Sequence, residues 1–173
     1  MKLLKISLFC LMIFSCGGPQ AVYDYDEQAD FNTYSSIAIY PEIQTGLSEL
    51  DERRLISSVE NSLETHDLIA PNSPDLYLNV YTEQYQEPSR TNVGVGIGGT
   101  GRNVGVGVSG GIPLGGPETF LRLTFDLVDV RTDELVWQAV VDSKFDFNAA
   151  PRERQQRFNK IVEEALEGYP PKT

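Results

Sequence analysis

The residue types that most often carry catalysis are few in this chain. His66 is the only histidine, and it lies at the end of a predicted helix, where a partial positive charge is favourable. A Ser–His–Asp triad would depend on this single ring. A zinc site would have to rely on carboxylates beside it, because the two cysteines, Cys10 and Cys16, both lie in the N-terminal segment. The sequence therefore predicts no metal site, no cofactor and no thiol nucleophile.

Carboxylates are abundant, but their spacing does not indicate a catalytic pair. Asp126 and Asp129 are three residues apart on a predicted strand, so they face opposite sides of a sheet. Asp142 and Asp146 share a face, but Lys144 between them indicates surface ion pairs. Because glycosidases need two carboxyl groups on either side of one bond, these positions by themselves predict no hydrolase.

Residues 92–117, here called the glycine-rich segment, have the most unusual composition. The run NVGVGIGG from Asn92 recurs as NVGVGVSG from Asn103. Alternating Val and Gly suit a two-stranded ribbon, while the cost of ordering glycine favours a loop that joins two strands. A GxGxxG match begins at Gly94, but no helix pattern follows it, so we expect no nucleotide binding. The branched side chains that a ribbon would present to a partner are Val93, Val95, Val104 and Val106.

Three tyrosines recur at every fourth position of a predicted strand. Tyr77, Tyr81 and Tyr85 share one face of that strand, because side chains alternate sides along it. The row suits stacking on sugar rings or on a peptide. Cross-strand packing on a half-exposed face would use the same pattern. We treat the three tyrosines as candidate partner-binding residues.

The apolar pattern of the remaining chain predicts a single α+β domain over residues 22–171. Residues 119–130 and 135–147 alternate apolar and polar side chains, which indicates a sheet with one covered face. Residues 48–66 and 151–168 form amphipathic helices that can cover it. The predicted fold is a two-layer sandwich: a mixed or antiparallel sheet, two helices on one face, and the glycine-rich segment inserted between strands. Further strands are predicted over 22–26, 36–40 and 76–85.

The N-terminus has the layout of a secretory signal. Two lysines precede an apolar run that is shorter than the roughly 20 residues of a membrane span. The run ends at Ser15-Cys16, where a small residue before cysteine is the arrangement that a lipoprotein signal peptidase cleaves. We predict a signal peptide over 1–15, lipid on Cys16 and a tether over 16–21. Two or three acyl chains would make the membrane attachment nearly permanent.

Charge limits the partners of the mature chain. Cleavage removes two lysines from a chain of net charge −11 and leaves 158 residues of net charge −13. Such a surface repels nucleic acid and anionic lipid headgroups. Gly17 is not the aspartate that retains many lipoproteins in the inner membrane, and no acidic run follows Cys16 to indicate surface export. We therefore expect the outer membrane, with the domain facing the periplasm.

Three short motifs occur in an order that resembles a known family. They are Pro74-Asp75-Leu76, then Asp129 followed by Val136-Trp137, and finally Tyr169-Pro170-Pro171. With the glycine-rich stretch and the two helices, their order resembles the bacterial envelope family catalogued as domain of unknown function 4136, over residues 22–171. The resemblance implies a lipoprotein or secreted envelope protein of unknown activity, and it carries over no catalytic residue.

These observations together predict a non-enzymatic envelope lipoprotein that acts as an accessory or binding module. The expected partner is an envelope protein or a glycan, in addition to the membrane that holds the lipid. Two alternatives are open: a hydrolase acting on an envelope polymer, and a structural spacer.

Overall fold

The computed structural model describes residues 18–70, 72–88, 92–93, 112–113 and 116–172. The strands are β1 (Gln20–Tyr25), β2 (Ile37–Ile39), β3 (Leu76–Glu87), β4 (Asn92–Val93), β5 (Ile112–Pro113), β6 (Glu118–Asp129) and β7 (Leu135–Lys144). The helices are α1 (Glu49–Thr65) and α2 (Pro151–Leu166), and a 3₁₀ turn spans Phe31–Thr33.

Five of the strands form one mixed sheet in the order β1-β7-β6-β3-β2. Neighbouring strands are antiparallel except for β2 and β3, which run parallel with Ile37 opposite Leu76. The parallel pair follows from the crossover through α1, because parallel neighbours need a long connection. Strands β1 and β2 are the two edges of the sheet. They are four strand spacings, or roughly 19 Å, apart.

One face of the sheet, here called the inner face, carries the hydrophobic core. Phe125 and Trp137 are fully buried there, and α2 adds Phe158. The Trp137 ring packs against Tyr23 of β1 and against Tyr169, with centroid distances of 6.1 and 5.6 Å. Trp137 is therefore part of the core, and the predicted α+β sandwich with two helices on one face is confirmed.

The two helices lie side by side on the inner face, and polar contacts join them. Ser48 caps α1, since its side chain accepts a hydrogen bond from the backbone N–H of Asp51. Asp51 in turn accepts from Arg54 of its own helix at 2.8 Å and from Arg154 of α2 at 2.7 Å. Pro151 occupies the first turn of α2, where its missing N–H has no cost.

The opposite face, here called the outer face, carries no helix in the part of the chain that the structure describes. Its side chains are those of alternate residues on each strand, so apolar core positions and outer-face positions interleave. One polar row crosses four of the five strands of this face in register: Asn79 of β3, Asp126 of β6, Gln138 of β7 and Asp24 of β1.

Most element boundaries differ from the sequence prediction by one or two residues, and two of the differences show how the sheet ends. Strand β1 begins at Gln20, inside the predicted tether, because backbone pairing with β7 extends to Asp142. Strand β7 ends at Lys144, three residues before the predicted end. The chain leaves the sheet there, although Phe145 remains buried and its ring packs against Phe158 of α2 at 4.9 Å.

Candidate functional site

The structure places the candidate partner-binding residues in different settings. Tyr77, Tyr81 and Tyr85 all lie on the outer face of β3, as the alternation predicted. In the glycine-rich segment, Val93 belongs to β4 and pairs with Ile112 of β5. The other candidates, which lie outside the described residues, are Cys16, Val95, Val104 and Val106.

Tyr85 is engaged within the sheet. Its ring stacks on Phe120 of β6 at 5.6 Å, and the guanidinium of Arg122 lies 5.5 Å from its ring centre. Its hydroxyl donates to Asp142, which also forms a two-point ion pair with Arg122 at 2.9 Å. This arrangement is the cross-strand packing that the sequence left open as an alternative to partner binding.

Tyr77, at the other end of the row, lies beside Tyr40, the residue that follows β2. The two rings meet edge to face, with a centroid distance of 5.6 Å and an angle of 87°. They stand at one side of an outer-face cleft of about 530 Å³, here called the Tyr40–Tyr77 cleft. Its lining residues are Tyr40, Glu42, Gln44, Tyr77, Asn79, Val128, Asp129, Val130 and Asp133. Tyr81 is 40% exposed on the same face but does not line the cleft.

The polar side chains of this cleft are largely unused by the fold. The amides of Gln44 and Asn79 and the carboxylates of Glu42 and Asp133 form no hydrogen bond or ion pair with any described residue. The hydroxyls of both tyrosines are also without a partner there. Glu42, Gln44 and Asp133 are exposed to solvent, and Asn79 is half-buried. Here they converge on one concavity.

The wall that carries Glu42 and Gln44 is fixed by Thr45. Thr45 is buried, and its carbonyl oxygen accepts from the backbone N–H of Thr82 at 3.0 Å and from the Thr82 hydroxyl at 2.8 Å. Its own hydroxyl donates to Glu52 of α1 at 2.6 Å. The segment between β2 and α1 is therefore held against β3 and against the helix, which limits the motion of this wall.

The wall that carries Asp133 is fixed by Asp129. This buried carboxylate accepts from the backbone N–H and guanidinium of Arg131, at 2.7 and 2.8 Å, and from the hydroxyl of Tyr34 at 2.8 Å. The hydrogen bonds from Arg131 hold the pKa of Asp129 well below its ordinary value, although burial opposes them. Asp133 has a positive φ of 59°, and its backbone N–H bonds to the carbonyl of Asp129 at 2.8 Å. The turn between β6 and β7 is thus ordered by its own side chains.

The carboxylate positions considered in the sequence do not form a catalytic pair. Asp126 lies on the outer face, where burial raises its pKa while Gln138 donates to it at 2.8 Å. Asp129, by contrast, is buried and accepts hydrogen bonds from Arg131 and Tyr34. The surface ion pairs predicted here do form, but across strands: Lys144 pairs with Glu118 at 2.6 Å and Asp142 with Arg122 at 2.9 Å. Both partners come from β6, which is paired with β7.

His66, the only histidine, terminates α1, as its sequence position predicted. In the described ranges, no group of three or more His, Cys, Asp or Glu residues is placed to hold a metal ion. Over the same ranges, no helix has the length and hydropathy needed to cross a membrane.

A second cleft, of about 410 Å³, lies beside edge strand β1. Tyr23 lines it, but the tyrosine hydroxyl already donates to the carbonyl of Glu164 in α2 at 2.5 Å. Its ring also covers Gly168 so closely that an added Cβ would overlap a ring carbon. The same cleft is lined by the carboxylates of Glu164 and Glu167 together with Lys172, so it holds a cation beside its acids, whereas no lysine or arginine is among the described residues that line the Tyr40–Tyr77 cleft.

Sequence reasoning identified Tyr77 but missed the residues that surround it. Tyr40, Glu42 and Gln44 come from the end of β2 and the following segment, and Asp133 comes from a turn about ninety residues later. The available signal was the strand–helix–strand order of β2, α1 and β3, which favours a crossover that leaves the two strands parallel. That pairing places Tyr40 near Tyr77 once the register is known.

Comparisons with solved structures describe the fold. A PDZ domain protein from Parabacteroides distasonis is 11% identical with a TM-score of 0.52, over 96% of this chain and 40% of that chain. The chain therefore spans two fifths of the length of that structure. A PelC dodecamer from Paraburkholderia phytofirmans is 15% identical with a TM-score of 0.49, over 86% of this chain and 94% of that chain. At such low identity, the similarity to the first structure shows a shared fold alone. No curated protein matches the chain.

The family comparison agrees with the resemblance seen in the sequence. Residues 21–171 match the model of the family described as Domain of unknown function (DUF4136). The match includes both helices and every residue that lines the Tyr40–Tyr77 cleft. The chain therefore belongs to the DUF4136 family.

Proposed function

We propose that this protein is a non-enzymatic binding module of the bacterial cell envelope, which holds a partner in the Tyr40–Tyr77 cleft. The observation that carries the proposal is the convergence of unpaired amide, carboxylate and phenol groups on one preformed cleft. Its volume of about 530 Å³ is within the range of about 300–1,000 Å³ that is common for ligand sites. Walls fixed by Thr45 and Asp129 reduce the entropy lost on binding.

The anchoring that we propose, lipid on Cys16, suits this arrangement. Strand β1 begins four residues after Cys16, so the intervening chain can reach at most about 14 Å. The anchor would therefore hold the β1 edge close to a membrane surface. Tyr40 and Tyr77 lie on and beside the opposite edge, where a partner in the periplasm can reach them. The outer membrane is the proposed location.

The test is chemical cross-linking in intact envelopes followed by capture of the tagged protein. We expect Tyr40→Ala with Tyr77→Ala to reduce recovery of the cross-linked partner at least tenfold. Tyr81→Ala is the matched control, because it removes an exposed tyrosine from the same face outside the cleft. Its recovery should remain near that of the wild type. Circular dichroism of each variant checks that the fold is retained.

Other results would support the alternative functions. Equal recovery from all three proteins would favour a structural spacer. Loss of capture with Tyr81→Ala alone would place binding on the wider tyrosine row instead of the cleft. Hydrolysis of an envelope polymer by the purified protein, abolished by Glu42→Gln or Asp133→Asn, would show that the cleft is catalytic and that the binding-module proposal is wrong.

A further inference from the structure

The charge of the Tyr40–Tyr77 cleft points to one class of ligand. Glu42 and Asp133 line it as carboxylates without a cationic partner among the described residues, and no arginine or lysine belongs to its lining. We infer that the cleft binds a cation, namely the ammonium or guanidinium group of a lysine or arginine side chain on a polypeptide partner. The inference rests on the proposed function and specifies its ligand.

Arg131 does not neutralise the carboxylates of Glu42 and Asp133. Arg131 is in the same turn as Asp133, but its guanidinium is bound to Asp129 and lies 6.0 Å from the centre of the Tyr34 ring. Asp129 is thereby neutralised from within the turn, while Asp133 is not. The cleft therefore keeps two negative charges that no described residue compensates, in a chain whose net charge of −11 already attracts cations.

The aromatic pair has a geometry that suits a cation. Tyr40 and Tyr77 are nearly perpendicular, so they form two walls that meet instead of one flat platform. A sugar ring stacks best on a single flat aromatic face, whereas an ammonium or guanidinium group is attracted to the faces of several rings around it. Tyr40 is 45% exposed, which leaves ring surface free for such a contact.

The amides complete the site by accepting hydrogen bonds. The side-chain carbonyl oxygens of Gln44 and Asn79 are free within the described part of the chain, and they come from two segments, one after β2 and one on β3. An ammonium group donates three hydrogen bonds and accepts none, and a guanidinium group donates five. Two carboxylates and two amide carbonyls match these donors. A phosphate or carboxylate ligand would be repelled by the carboxylates.

The experiment is isothermal titration of the full-length protein in detergent micelles with short blocked peptides. One peptide carries a central lysine and another a central arginine. Their matched controls carry acetyl-lysine and citrulline, which keep the length of the side chain and remove the cation. We expect binding of the lysine or arginine peptide, and at least tenfold weaker binding of its neutral control. Spermidine, a free polyamine, should bind no better than the lysine peptide.

Variants separate the cleft from general charge attraction. Glu42→Gln with Asp133→Asn should weaken peptide binding about tenfold or more, and Tyr77→Ala about 3- to 30-fold, as expected for loss of a cation–π contact. Glu60→Gln on the exposed side of α1 is the control for charge, and it should leave the affinity within twofold. Equal weakening by Glu60→Gln would contradict a specific cation site.

Different experimental results would contradict the inferred cation ligand and the proposed binding function. If an N-acetylglucosamine oligomer binds in the cleft, with an affinity that Glu42→Gln and Asp133→Asn do not change, the ligand is a glycan and the binding module stands. The same holds if spermidine binds tightly and the peptides do not, because the source of the cation is then a free amine. If no probe binds and the tyrosine variants capture the partner normally, both proposals are wrong.

Discussion

At the scale of single residues, burial separates structural carboxylates from available ones. Asp129 is almost fully buried and accepts hydrogen bonds at both carboxylate oxygens, whereas Asp133, four residues later, is exposed and unpaired within the described chain. The two have similar sequence surroundings in one turn. Their different roles depend on Arg131, which bonds to Asp129, and on Tyr34, which is distant in sequence and also donates to Asp129.

The role of Asp129 predicts a specific dependence of stability on pH. Its pKa in the folded state is lowered, so the unfolded chain takes up a proton first as the pH falls. The stabilisation is therefore complete above the ordinary aspartate pKa of about 3.9 and is lost progressively below it. We expect Asp129→Asn to lower the free energy of unfolding by about 1–3 kcal/mol at pH 7.

Urea denaturation at pH 7, 5 and 3, followed by Trp137 fluorescence, measures this effect. The difference between wild type and Asp129→Asn should be similar at pH 7 and 5 and should shrink at pH 3. A difference that stays constant down to pH 3 would mean that the carboxylate charge is not what stabilises the turn.

At the scale of elements, ion pairs as well as apolar packing join the two helices. Asp51 has a side chain that is 2% exposed, and it bridges Arg54 and Arg154, which are 16% and 18% exposed. Ser58 and Asn159 extend the junction with a hydrogen bond of 2.7 Å between the helices. The junction lies in the helical layer, away from the cleft, so it contributes to stability without touching the proposed site.

Two substitutions in the first turn of α1 test this junction against a surface ion pair. Asp51→Asn should lower the free energy of unfolding by about 2–3 kcal/mol, because it leaves two arginines that are largely buried without a counterion. Glu49→Gln breaks only the exposed pair with Arg53 and should cost less than about 0.5 kcal/mol. Thermal unfolding of both variants gives the comparison. Equal costs would show that the interhelical bridge is no stronger than a surface pair.

The strands and helices show how much of the fold could be predicted from the sequence. Period-2 alternation identified both faces of β3, β6 and β7, and helical spacing identified α1 and α2, because those patterns are local. Strand order and register are not local, since they depend on which side chains pack together across the sheet. Tyr77 could be placed on a face from its own strand. Its neighbour Tyr40 and the facing Asp133 required the pairing of β2 with β3 and of β3 with β6.

At the scale of the whole molecule, the cleft lies at one edge of the sheet and β1, the first described strand after the proposed anchor Cys16, forms the opposite edge. Cys16→Ser should abolish labelling by a fatty-acid probe and leave an uncleaved or soluble form, because the thiol that would carry the acyl chains is gone. Phase separation in detergent and mass spectrometry of the N-terminus measure both effects. A wild-type N-terminus that begins at an unmodified residue other than Cys16 would contradict the anchor.

Strand β1 has a mechanical consequence for such an arrangement. It is an edge strand, so among the described strands β7 is its only backbone-pairing partner, through pairs that run from Gln20 opposite Asp142 to Tyr25 opposite Trp137. A partner pulling at the far edge would load the sheet sideways, along the direction of its hydrogen bonds. Those bonds would then break in sequence, starting at Gln20, next to the anchor. The packing of Tyr23 against Trp137 and α2 would set the force at which the tethered strand peels away.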